Sequence, residues 1–101
     1  MKLRYTPQAI QDLDDIQTYI SEKLLNPEAA YGIVTSIAES AKRLKDEPYL
    51  GFEMSKKTGL DIPGRGLVSG QYLLIYEVTD CISILRVIDT RVDFMRMIGT
   101  W

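Results

Sequence analysis

The chain has 101 residues, twelve lysines and arginines against fourteen aspartates and glutamates, and a formal net charge of -2; this length suits one domain built on one core. It contains no histidine and a single cysteine, Cys81, which excludes imidazole acid/base chemistry, a Cys/His zinc site and an intrachain disulfide, so no metal or cofactor is expected. A balance so near neutrality gives no overall field for nucleic acid, and any anion site must be a local grouping of bases.

Residues 1–8 carry Lys2 and Arg4 but no apolar run of signal-peptide type, and no stretch approaches membrane-spanning length; a cytoplasmic protein is the expectation. Met1 to Tyr5 alternates, with Leu3 and Tyr5 on one side and Lys2 and Arg4 on the other, as a half-buried strand does. Thr6 followed by Pro7 marks a helix start, a capping hydroxyl before a proline that needs no amide hydrogen. Ile10, Leu13, Ile16, Tyr19, Ile20 and Leu24 recur at helical spacing. Asp12, Asp14 and Asp15 point in different directions around such a helix, cannot converge on one metal ion, and read as a solvated helix start.

Asn26 and Pro27 repeat the start signal, and Ala30, Ile33, Val34, Ile37, Ala38, Ala41 and Leu44 give a second amphipathic helix ending near Lys45, antiparallel to the first. From Asp12 to Glu47 eight acids stand against four bases, and beyond Pro48 six against six. Tyr49 to Gly64 is the least regular part, with Gly51, Gly59, Pro63 and Gly64, and it carries Lys56 and Lys57. Arg65 to Ser69 reads as a short strand. Thr90 and Asp93 would open a last short helix with Phe94, Met95 and Ile98 on its apolar side and Gly99 as its stop.

The stretch from Tyr72 to Asp89 is the centre of the fold. Two runs rich in β-branched and aromatic residues, Tyr72 to Val78 and Cys81 to Asp89, are separated by Thr79 and Asp80, which predicts a hairpin with a two-residue loop. That loop pairs Val78 with Cys81, Tyr76 with Ser83, Leu74 with Leu85 and Tyr72 with Val87 on an uncharged face that should meet the helices. The other face holds Leu73, Ile75 and Glu77 with Ile82, Ile84, Arg86 and Ile88. Its charges predict that it stays open, so Leu73, Ile75, Ile82, Ile84 and Arg86 are expected to bind another polypeptide. A covering helix of the same chain, or a loop of different length that swaps the faces, is the alternative. The architecture expected is α+β, a helix hairpin on one face of a four-stranded, mostly antiparallel sheet.

Three segments, in order, resemble the RelE/ParE family of bacterial toxins. They are Tyr5-Thr6-Pro7-Gln8-Ala9 with Asp12-Leu13, Ile16 and Tyr19-Ile20; Leu44-Lys45-Asp46-Glu47-Pro48-Tyr49-Leu50-Gly51; and Tyr72 to Val78 with Ile84 to Arg91. The resemblance spans essentially the whole chain. It implies a cytoplasmic toxin held inactive by an antitoxin encoded beside it, whose helix and extended tail wrap the toxin.

The family has two branches. RelE-like members cut messenger RNA on the ribosome, a reaction in which a base removes a 2′-hydroxyl proton and cations hold the charge growing on phosphate. Such a base can be a lysine brought below its reference pKa of about 10.4 by neighbouring positive charge. Under that reading Lys56 and Lys57 are the base or phosphate pair, joined by Arg65 and by Arg91, the match to the family's basic residue after the last strand. The chain departs from the nuclease pattern at Leu73, where those members carry arginine, and at Phe94 and Met95, where they carry a late tyrosine. ParE-like members instead block DNA gyrase by binding it. The wording of the first helix, the weakened nuclease set and an acidic chain favour that branch. A non-toxic binding module of the same fold is the third reading, and direct DNA binding is not expected of this chain.

Overall fold

The computed structural model describes residues 1–91. Its elements are β1 (Leu3–Tyr5), α1 (Pro7–Thr18), α2 (Pro27–Arg43), β2 (Phe52–Glu53), α3 (Met54–Thr58), β3 (Arg65–Ser69), β4 (Tyr72–Val78) and β5 (Ile82–Asp89). They form an α+β architecture whose sheet has five strands in the order β1-β5-β4-β3-β2, one more than expected because β2 pairs antiparallel with β3. Only β1 runs parallel to its neighbour, β5. The last helix expected after Thr90 lies, beyond Arg91, outside the described residues.

The helix hairpin forms as its start signals require. The Thr6 hydroxyl accepts from Ala9 N at 3.1 Å and the Asn26 side chain accepts from Ala29 N at 3.2 Å, each with proline at the first helical position. The end of α1 loosens into a π-turn over Tyr19–Lys23 before Leu25 closes the connection at a left-handed φ of 52°. Ala9, Ile37, Ala41 and Leu44 pack on Tyr72, Leu74 and Tyr76 of β4 and on Ile82, Ile84 and Val87 of β5. Ile10, Tyr19 and Leu24, expected in the first helix's apolar stripe, are exposed, as is Ala38 of α2.

The hairpin register departs from expectation, and with it the faces of β5. Val78 pairs with Ile82, so the loop holds Thr79, Asp80 and Cys81, closed by Thr79 N donating to Cys81 O at 3.0 Å. One added loop residue moves every side chain of the following strand to the opposite face. Ile82 and Ile84 therefore face the helices, and both are fully buried. A bulge then leaves Leu85 without an opposite residue: Tyr76 pairs with Ile84, Ile75 with Arg86, Leu74 with Val87 and Tyr72 with Asp89. The bulge restores the parity. Val87 joins the helix face, as expected, while Leu85 lies against the other core.

The second face of the sheet is roofed by the chain itself. Leu73, Ile75 and Ile88 pack with Met54 and Ile62, and with half-buried Phe52 and Leu85. The irregular segment read as loop is thus the lid of a second core. The expected open apolar patch does not exist: Leu73, Ile75, Ile82 and Ile84 are all at most 3% exposed. Glu77 is exposed at the end of β4, and Arg86 is held by an ion pair.

Two polar anchors fix this arrangement. The buried Tyr76 hydroxyl donates to Pro48 O and accepts from Gly51 N, both at 2.9 Å, tying the lid's entry to the sheet. Gly51 is required there, since a Cβ would stand 2.4 Å from Gly66 O. The other anchor is Asp12, 7% exposed and not solvated as expected. Its carboxylate accepts from Val87 N at 2.9 Å, from Arg86 Nε at 2.9 Å and Nη2 at 3.1 Å, and from Gln8 Nε2 at 3.1 Å.

Removing a hydroxyl that satisfies a buried amide exposes the full desolvation penalty of that amide. Tyr76→Phe is expected to cost about 1–3 kcal/mol, read as a lower denaturant midpoint together with faster hydrogen exchange at Gly51 than at the α2 amides. Asp12→Ala removes this carboxylate from a half-buried guanidinium and from the buried Val87 amide, and is expected to cost about 1–3 kcal/mol. Arg86→Ala should cost less, because Asp12 keeps Val87 N and Gln8; equal losses in the two variants would show that the strand amide contributes nothing.

Candidate functional site

A cleft of about 480 Å³ opens beneath the end of α1. Ile16 and Tyr19 form its helical wall, and Tyr72, Val87 and Ile88 its sheet side. It exists because β1 ends at Tyr5 while β5 continues to Asp89, so the lower half of β5 has no strand beside it on that edge. The first turn of α1 takes over part of the missing strand's role: Thr6 N donates to Ile84 O and the Thr6 hydroxyl to Leu85 O, both at 3.0 Å, before Asp12 takes Val87 N. Below that point the edge faces the cleft.

Two opposed charge pairs and the carboxylate-bearing Asp15 line the cleft. Asp12 and Arg86 form its inner polar wall, and Arg91 bonds to Asp89 at its mouth at 3.4 Å. A second hollow, of about 310 Å³, lies on the far side of Tyr72 between α2 and the β3–β4 turn, lined by Ile33, Ser36 and Gln71 among others. Tyr72 thus separates two depressions under the helix hairpin. Such a site offers apolar contact with a few fixed polar groups. Burial raises the Tyr5 phenol above its ordinary value, so no phenolate is made available for proton transfer.

The basic residues expected for RNA cleavage do not come together. Lys56 lies on α3, largely exposed, with its ammonium 2.9 Å from Glu53. The Glu53 carboxyl is held below the usual carboxylate range by the Lys56 hydrogen bond and by the charge of Lys56, with a smaller pull from Arg65. Lys57 sits 5.7 Å over the Phe52 ring. Arg65 donates to Gly51 O at 2.7 and 3.0 Å and lies 5.3 Å over Tyr49. Carboxylates of Glu53, Asp61 and Glu77 border the hollow that holds it. Arg65 is in the row of Tyr76, whereas Arg91 lies beyond the row of Tyr72, about 13 Å along the strand at roughly 3.3 Å per residue. Lys56 and Arg65 share Glu53; Arg91 belongs to the cleft.

Of the residues expected to bind a partner, Arg86 alone lines one of the depressions described above, and it is paired with Asp12. Asp12 is the residue missed. Its signal was present in the sequence: position 12 falls within the stripe of Ala9, Leu13, Ile16 and Ile20, so an acid there must enter the core side of the helix.

Among the described residues no group of three or more acidic or cysteine side chains could hold a metal ion, and no helix is long and apolar enough to cross a membrane. No curated protein matches the sequence. Among solved structures, a chain of the chromosomal ParDE toxin–antitoxin system from P. aeruginosa superposes with a TM-score of 0.71 at 30% identity, covering 86% of this chain and 92% of that one. Residues 3–94 match the family model of the ParE toxin of the type II toxin–antitoxin system, parDE. The match takes in every strand and helix described above, and by it the chain belongs to the ParE toxin family.

Proposed function

We propose that this chain arrests growth by binding DNA gyrase, performing no hydrolysis, and that an antitoxin encoded beside it neutralises it by occupying the cleft beneath α1. The observation that supports binding over RNA cleavage is the state of the basic residues. Lys56 meets a carboxylate where a general-base lysine needs positive neighbours, and three carboxylates around Arg65 oppose an incoming phosphate. Arg91, the fourth candidate, lies at the other end of the sheet. Nothing in that distribution gathers charge around a single phosphate, which the reaction demands.

The cleft suits the antitoxin because Ile16, Tyr19, Tyr72, Val87 and Ile88 give it apolar walls that an apolar side of a polypeptide segment can cover. A gyrase target and an antitoxin partner imply action in the cytoplasm, with operator binding left to the antitoxin.

The purified chain is expected to inhibit gyrase supercoiling, and the antitoxin to relieve that inhibition. Growth arrest on induced expression should persist in the double variant Lys56→Ala/Lys57→Ala. Ribosome-dependent cleavage of transcripts within translated regions, lost in Lys56→Ala or Arg91→Ala, would overturn the proposal in favour of a nuclease. A folded product without effect on growth would leave a non-toxic binding module.

A further inference from the structure

The connection between the helices carries features that packing does not explain. Leu25 is 82% exposed and holds a φ of 52°, a conformation that glycine or asparagine adopts readily and leucine does not. Leu24 beside it is 58% exposed and Tyr31, just past the first turn of α2, is 75% exposed. The helix leading to them ends in a π-turn over Tyr19–Lys23, a rare arrangement that is frequent at functional sites. A strained backbone position that also presents a large apolar side chain to water is a starting point for a functional hypothesis.

The surrounding charge restricts what covers this tip. From Asp14 to Tyr31 there are four acids, Asp14, Asp15, Glu22 and Glu28, and one base, Lys23, all exposed. That surface repels phosphate, anionic lipid headgroups and a second copy of itself. It complements a protein face with an apolar centre and a lysine- or arginine-rich rim.

We infer that the tip of the α1–α2 hairpin, Leu24, Leu25 and Tyr31 in their acidic surround, is the surface that seats on such a basic face of the toxin's protein target. The inference rests on the reading of this chain as a toxin that acts by binding. It separates two surfaces: the cleft beneath α1 takes the antitoxin, and the tip takes the target.

The test uses the full-length chain and three variants, Leu25→Gly, Leu24→Ser/Tyr31→Ser and Glu22→Lys/Glu28→Lys. Each is measured for thermal midpoint, antitoxin binding, growth arrest and inhibition of purified gyrase. Leu25→Gly is expected to keep or raise the thermal midpoint, since it relieves the left-handed backbone. Inhibition should still fall by about tenfold or more, as it does when an interface loses an anchoring side chain. The charge reversal should weaken inhibition most at low salt. Antitoxin binding should be unchanged in all three.

Folded variants that inhibit gyrase and arrest growth as the unaltered chain does would overturn the inference, and so would variants that lose antitoxin binding while keeping toxicity. If the unaltered chain arrests growth without inhibiting gyrase, the gyrase reading fails by itself. The tip is then judged on growth: arrest lost in the folded variants supports it, and arrest retained overturns it. An unaltered folded chain with no effect on growth overturns both.

Discussion

β5 loses its parallel neighbour when β1 turns into α1 at Thr6, and a strand edge left open inside a fold would bury unpaired amides. Asp12 resolves this by giving one carboxylate to Val87 N and to the Arg86 guanidinium together. The helix is thereby keyed to the sheet at one angular position, with Ala9 fully buried against it. The arrangement also makes the cleft, because α1 is held over the strand edge at Val87 and stands away from it below. Stability and the shape of the candidate antitoxin site thus rest on the same bond set.

The bulge at Leu85 is what lets a single strand serve two cores. Above it Ile82 and Ile84 alternate toward the helices; below it Val87 does so again, while Leu85 and Ile88 turn to the lid of Met54 and Ile62. Without the extra residue, Val87 and Ile88 would exchange faces, burying a different pair of side chains in each core. The two cores are joined through Tyr76, whose ring lies on the helix side and whose hydroxyl holds Pro48 and Gly51.

Much of this was legible in the residues. Thr6-Pro7 and Asn26-Pro27 cap the helices as their chemistry requires, and β4 presents Tyr72, Leu74 and Tyr76 to the core as its alternation predicts. The β5 faces were not legible, because hairpin loops of two and three residues differ only in whether Cys81 pairs, and a bulge leaves no local mark in a run as uniform as Ile84 to Ile88. Nor was the lid legible: Phe52, Met54 and Ile62 are too widely spaced to show a period. The rule that charge marks the wet face failed at Arg86, since Asp12, distant in sequence, compensates it. Lys56, Lys57 and Arg65 were readable as cations but not as partners of Glu53, Phe52 and Gly51, contacts that exist only once β2 and β3 pair.

These pairings bear on how such a chain recognises anything at all. The sheet is closed on one face by the helices and on the other by the lid, and its described bases are largely met by carboxylates, carbonyls or rings, so it offers little unspent attraction to a ligand. Among the described residues, the surfaces left open include the two ends of the helix layer: the cleft below α1, and the exposed, strained tip between the helices. Strands packed on both faces make a firm base, and a helix hairpin keyed to that base by Asp12 can carry apolar groups into a partner with little loss of freedom on binding. Among the described residues the sheet is thus a mount for the helices, and the two surfaces proposed for recognition both lie on the helix layer that it holds out.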